Sequence, residues 1–400
     1  MIEKRLEEAK RRADLNYFVY INERAAEELE ALAKAGRCGK LCGLAVAVKD
    51  NIEVAGMPIT NGAPYMRRVA TETAPVVAAL MAEGAVVIGK TNMHELALGA
   101  TNINPHFGPT RNPHDPTRIT GGSSGGSAGA VAIGVADVGL GTDTGGSVRI
   151  PAALCGVVGY KPPYGKLPTR GVLPLAQSLD HVGLITRSVD DLVRVMAAVG
   201  WLERELPEVK RFRFAVLMGI AENTRHVEKA FWRAVEVLER IGGVRDEVFV
   251  EARKYASARA AILLSEAAAN YYHLLRGVGD KMGKDVATLL AAGAALPAVA
   301  YITAKQVKEE ATQFFNKLFK KYDVVATPTT ATEAIPIEEA DSVAVRPKLL
   351  AYTELFNLTG HPAISVPAPT SGLPVGLQLA ARDEEVLLAV AKMYEKEVAD

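Results

Sequence analysis

An α/β architecture, a mixed and mostly buried β-sheet flanked by α-helices, is what this chain predicts, and three observations predict it. Short apolar runs rich in Val, Ile and Ala alternate with segments of helical periodicity. Gly and Pro punctuate the joins between them. Four hundred residues, 49% of them hydrophobic, are enough to cover both faces of such a sheet.

Taken in order, residues 2–14 and 23–35 have helical spacing, and the first is charged and amphipathic without the apolar core of a signal peptide. Gly43-Leu-Ala-Val-Ala-Val-Lys49 reads as a buried strand that ends on a lysine. Thr73–Glu83 reads as a helix and Ala85–Ile88 as the strand after it. Val131–Leu140 is small, apolar and partly β-branched, with glycine clusters on both sides. Further strands are expected at Phe212–Met218, Val324–Thr327 and Ala363–Val366, and helices at 189–199, 227–241, 256–276, 304–320 and 384–398. The charged stretch 201–212 contains Pro207 and reads as a surface connection. Val286–Ala304 runs nineteen residues without a charge, close to membrane-spanning length. Its Ala/Gly richness and Pro297 favour a buried helix pair, or a wall of a substrate pocket. No repeat or low-complexity linker divides the chain, so one domain over 1–400 is expected, with a core at about 43–190 and a smaller subdomain at about 201–350.

Forty-six basic residues balance forty-six acidic ones, which gives no overall electrostatic footprint for nucleic acid or an anionic membrane, and is still compatible with a local basic patch. Three cysteines (Cys38, Cys42, Cys155) make no disulfide framework, so a reducing cytoplasm is the expected compartment. Cys38 and Cys42 have no further Cys or His near them to complete a metal site, and no cofactor is expected. The four glutamines, against many Glu and Arg, point to a thermophilic source.

Two short patterns mislead. Gly84-Ala-Val-Val-Ile-Gly89-Lys90-Thr91 matches a phosphate-binding loop by letter. Its middle, however, is a strand sequence rather than a loop that aims amides at phosphate. The string G-x-S-x-G occurs three times, centred on Ser123, Ser124 and Ser127. A nucleophile elbow needs a strand leading into it, and here the lead-in Arg111-Asn-Pro-His-Asp-Pro-Thr-Arg-Ile-Thr120 is a loop. His181 after Asp180 would complete a Ser-Asp-His order in that reading.

The informative segment is Gly121 to Lys161. It opens on Gly-Gly-Ser-Ser-Gly-Gly-Ser127 and returns, after an apolar stretch, to Gly141-Thr-Asp-Thr-Gly-Gly-Ser147-Val-Arg-Ile-Pro151. Gly145 and Gly146 permit a tight turn with consecutive amides exposed, and Ser147 stands at a helix start. Such a turn can aim several N–H groups at one point, as an oxyanion hole requires. Taken alone, the spacing fits a tight loop with Ser147 as a helix cap equally well.

The run from Gly121 through Pro162 resembles the amidase signature family, as does the lysine of Val46-Ala-Val-Lys49-Asp50-Asn51. Similar in family order are Lys90-Thr-Asn-Met93, Phe107-Gly-Pro-Thr-Arg-Asn-Pro113, Ser178-Leu-Asp-His-Val-Gly183, Thr327-Pro-Thr-Thr330, Phe356 through Pro367, and Pro374-Val-Gly-Leu-Gln378. The resemblance implies the amidase signature fold and an amide hydrolase. It makes Ser147 the nucleophile, Ser123 the proton relay after a cis Gly122–Ser123 peptide, and Lys49 the general base. It places the oxyanion hole on the amides of Thr144, Gly145, Gly146 and Ser147, with Ser124, Asp143 and Arg149 as supports. The chemistry is coherent: a serine hydroxyl needs a positioned base, and lysine serves only when burial has made it neutral.

Within the family, the alternative to a stand-alone amidase is the A subunit of an aspartyl/glutamyl-tRNA amidotransferase, a glutaminase that feeds ammonia to B and C subunits. Phe107–Pro113, Gln177–Asp180 and Pro374–Gln378 are compatible with it. His94 stands where such subunits carry an acid, and Tyr352–Thr359 lacks their aspartate before the corresponding Thr. Lys305–Lys308 departs from their Val-Arg pattern, and the chain is short for the family through 200–350. These departures favour a stand-alone enzyme for small amides, with no direct nucleic-acid or membrane partner. A homodimer is compatible with the sequence.

Overall fold

A computed structural model describes residues 2–399. Eleven strands form one mixed sheet. From edge to edge they are Phe18–Ile21, Val86–Thr91, Ala45–Lys49, Val138–Asp143, His181–Thr186, Val158–Lys161, Ala363–Pro367, Gly376–Ala381, Val324–Pro328, Phe212–Met218 and Gly243–Phe249. Ala45–Lys49 pairs in parallel with both of its neighbours, as Phe212–Met218 does with both of its own. The intervening ladders from Val138–Asp143 to Val324–Pro328 are antiparallel.

The two faces carry separate cores, and the period-2 alternation of the strands assigns them. Val46, Val48, Val138 and Leu140 face a core that includes Leu192, Val195, Val235 and Leu388, from helices Val189–Ala198, Arg225–Arg240 and Glu384–Ala399. Ala45, Ala47, Val86 and Ile88 face the opposite core, with Ala128, Val131, Ala152 and Leu6. Small residues on that side admit the helix Gly125–Ala132 at backbone distance. A Cβ on Gly126 would stand 2.5 Å from the carbonyl oxygens of both Asn92 and Tyr17, so no larger residue fits there.

Several expectations are met closely. Phe212–Met218 is a strand end to end, and the helices near 189–199 and 384–398 start with capping groups or first-turn acids. Ser188 caps the first of these by accepting from the Asp191 amide at 3.1 Å. Others are corrected. Val131–Leu140 is not one element, because the helix runs to Ala132 and the strand starts at Val138. Val286–Ala304 spans two helices, Lys284–Ala295 and Ala298–Leu318, bent by 96° at Pro297. They are largely exposed instead of buried, and they line an outer groove with Tyr272 and Tyr301. No single helix among the described residues is long and apolar enough to cross a membrane. Cys38 and Cys42 are joined in a disulfide, so the inference of a reducing compartment finds no support in this pair, and Cys155 is free and buried.

Candidate active site

The site lies at the C-terminal ends of the neighbouring parallel strands Ala45–Lys49 and Val138–Asp143, the end of a parallel ladder where side chains and loops converge. Lys49 is the last residue of its strand and fully buried. Its Nζ is 2.8 Å from Ser123 Oγ, 2.7 Å from Thr142 Oγ1 and 3.4 Å from the Thr142 carbonyl oxygen. Burial pulls the Lys49 ammonium down to about 7, against the opposing pull of the Asp143 and Asp180 carboxylates. The Gly122–Ser123 peptide is cis.

Ser147 follows the turn that ends the second strand, is 7% exposed, and lines a cavity with Thr144 and Gly145. Gly146 has φ +132°, and a Cβ there would lie 2.2 Å from Thr353 Oγ1, so the turn requires glycine at this position. Among the described residues, the amides of Gly145, Gly146 and Ser147 have no backbone carbonyl partner. The two serine segments are tied by the Ser124 amide, which donates to the Ser147 carbonyl at 3.1 Å. No side-chain hydrogen bond among the described residues joins Ser123 Oγ to Ser147 Oγ, an approach that often tightens only with substrate in place.

A buried ion pair fixes the turn from below. Arg149 Nη2 is 2.8 Å from Asp143 Oδ1, and its Nε donates to Oδ2 at 3.1 Å. Asp143 also accepts from the Val148 amide and from Asn357 Nδ2. Burial alone would raise this carboxyl, but Arg149 and Asn357 outweigh it and hold it well below the usual carboxylate range. The remaining donors of Arg149 reach Thr353 O, Gln378 Oε1 and Asn357 Oδ1. Ser124 Oγ donates to the Thr142 carbonyl at 3.3 Å.

The two misleading patterns resolve into structure. The Gly84–Thr91 string is strand from Val86, and Lys90 Nζ is held by Asp50 Oδ1 at 3.3 Å and the Pro58 carbonyl. Asp180 accepts from Thr144 Oγ1 at 2.6 Å and from the amides of Leu175 and Ala176. His181 Nδ1 donates to the Leu179 carbonyl at 2.7 Å. Among the described residues neither makes a side-chain hydrogen bond to Ser123, Ser124 or Ser127, or to the other, so the Ser-Asp-His order is not assembled. Thr142, Asn357 and Gln378 went unnoticed as functional residues in the sequence. All three stand inside segments already singled out for their resemblance, which was the available signal.

The chain matches the amidase family over residues 1–387. It belongs to that family. Among curated relatives, the A subunit of the glutamyl-tRNA(Gln) amidotransferase from Methanosarcina mazei is 35% identical over 436 aligned positions, covering 96% of this chain and 91% of the relative. A solved amidase superposes with a TM-score of 0.91 at 35% identity, covering 99% of this chain and 95% of that one. The A subunit of the Thermotoga maritima glutamyl-tRNA(Gln) amidotransferase superposes at 0.83 and 31%, covering 99% and 91%. This amidase-family chain is therefore a hydrolase of carbon–nitrogen bonds with the mixed α/β fold of its neighbours.

Proposed function

We propose that this chain cleaves carboxylic amides to acid and ammonia or amine through an acyl-enzyme on Ser147. The observation that carries the reading is the buried Lys49 Nζ, 2.8 Å from Ser123 Oγ, with the next residue, Ser124, tied by its amide to the Ser147 carbonyl at 3.1 Å. An ordinary lysine near 10.4 is neutral in about one molecule in 2,500 at pH 7. At about 7, roughly half of the molecules carry a free base. Neutral Lys49 takes the Ser123 proton while Ser123 takes the Ser147 proton, and Ser147 Oγ attacks the amide carbonyl. The oxyanion is held by the amides of Thr144, Gly145, Gly146 and Ser147. On collapse, the proton returns through Ser123 to the leaving nitrogen, which departs neutral. Water then releases the acid by the same relay. Asp143, Arg149 and Ser124 position the turn.

Whether the enzyme works alone is a finer matter. Similarity to proteins named as amidotransferase A subunits, 35% identity over 96% of this chain, supports an ammonia-supplying component better than the stand-alone enzyme favoured by the sequence departures. A panel of glutamine, asparagine, acetamide, benzamide and anilides, run on the purified chain with and without B and C subunits, separates the two. Turnover of several simple amides without partners supports the stand-alone enzyme, and partner-dependent glutamine hydrolysis supports the amidotransferase component. Ser147→Ala is expected to abolish turnover in either case while leaving the fold intact. Retained activity in that variant, with loss in His181→Ala, would replace this mechanism with a Ser-His-Asp one.

A further inference from the structure

Two arginines reach the Ser147 cavity from elements far apart in the sequence. Arg259 belongs to the helix Ala252–Val278 and Arg346 to the short helix Arg346–Leu350. Both line the cavity together with Ser147, Thr144, Gly145 and the loop Ala97–Ala100, and no carboxylate among the described residues does. Arg259 is 4% exposed. Its Nε lies 2.6 Å from Glu354 Oε2, at an angle that makes no hydrogen bond, and its Nη1 has no partner among the described residues. That Nη1 stands 3.3 Å from where a Cβ on Gly145 would be, beside the proposed oxyanion turn. Arg346 donates from Nη1 to the Leu98 carbonyl at 3.1 Å, which anchors it to the far wall.

Charge adds to geometry. Glu354 compensates one guanidinium, and Asp285, the other acid that acts on Arg346, is already held by His94 at 2.9 Å. Burial, and then the charge of Arg259, push Arg346 down to about 10, while Glu354 and Asp285 pull the other way. A buried guanidinium nitrogen without a hydrogen-bond partner is costly unless a ligand supplies the acceptor. The cavity itself is tight, about 20 Å³, so a ligand must shift Leu350 or the arginines to enter.

We infer that Arg259 and Arg346 form an anion subsite, and that the substrate is a small amide bearing a carboxylate, such as the monoamide of a dicarboxylic acid. This rests on Ser147 as the nucleophile. Because the lining offers no carboxylate for an ammonium, the monoanionic amide is preferred over a zwitterionic one.

The test compares, on the wild-type protein, succinamate with butyramide, glutaramate with pentanamide, and glutaramate with glutamine. At least one anionic amide should exceed its neutral counterpart in kcat/KM by about tenfold or more, as a charge-assisted hydrogen bond allows. Glutaramate should exceed glutamine. Equal or faster turnover of the neutral amides overturns the subsite, and faster turnover of glutamine overturns the monoanionic preference. A second readout needs no catalysis: calorimetric binding of succinate and glutarate to Ser147→Ala. Binding should weaken at least about tenfold when Arg259→Met or Arg346→Met is added. Binding that is absent, or indifferent to both substitutions, overturns the subsite. Arginine-dependent binding with no amide turnover in the wild type, either alone or with B and C subunits, would leave the subsite standing and remove the catalytic reading instead.

Discussion

Replacing Thr142 by valine tests the link between burial and base strength. Valine keeps the shape of threonine but removes the Oγ1 that lies 2.7 Å from Lys49 Nζ and accepts from Asn51 Nδ2 at 3.1 Å. Lys49 then keeps Ser123 Oγ at 2.8 Å and a long contact of 3.4 Å to the Thr142 carbonyl. Both forms of the lysine lose an acceptor, but not equally. A hydrogen bond from an ammonium is worth about 1.5–3 kcal/mol and one from a neutral amine about 0.5–1.5. The ammonium is thus penalised by about 1 kcal/mol more, or about 0.7 pK unit at 1.36 kcal/mol per unit. In the wild type the active, neutral base accumulates as pH rises through about 7, so kcat/KM climbs through that limb. In Thr142→Val the limb moves to lower pH. The plateau meanwhile falls by about tenfold or more, because the amine loses the acceptor that orients its lone pair toward Ser123. The orphaned Asn51 donor costs about 1–3 kcal/mol of stability, measurable by chemical denaturation. The assay is the pH profile of kcat/KM from about 5.5 to 9, with Thr142→Ser as the control that keeps the hydroxyl. A limb that moves upward, or identical profiles for the two variants, refutes the reasoning.

Lys49→Arg should be nearly inactive, because guanidinium stays protonated, and full activity would remove Lys49 as the base. Lys49→Ala should lose more on amides than on esters, whose alkoxide depends less on protonation by the relay, so an unchanged amide-to-ester ratio counts against that role. Asp143→Asn leaves Arg149 buried without its counter-ion and should cost about 3–5 kcal/mol in denaturant unfolding. A loss below about 1 kcal/mol would mean that the amide and carbonyl partners of Arg149 suffice. Activity should survive exhaustive chelation, since the described residues bring no three His, Cys, Asp or Glu together, and loss restored by zinc or magnesium would contradict this.

The strand that ends on Lys49, the glycine-flanked serines and the order of the segments that resemble the family are all legible in the chain. These are local facts, because strand and helix periods, caps and turn residues act over a few positions. It did not announce strands such as Val158–Lys161, His181–Thr186 and Gly376–Ala381, whose glycines, polar ends and short lengths blur the pattern. They are buried strands because the sheet covers them on both sides, which is a property of their neighbours. Only the closed fold makes Thr142, 93 residues from Lys49, its closest polar partner. It also brought Arg259 and Arg346 to the Ser147 cavity, and Asn357 and Gln378 to Arg149. The base strength of Lys49 follows the same division. A lysine can be read from the chain, but the desolvation that makes it a base near neutral pH exists only once distant segments have closed over it.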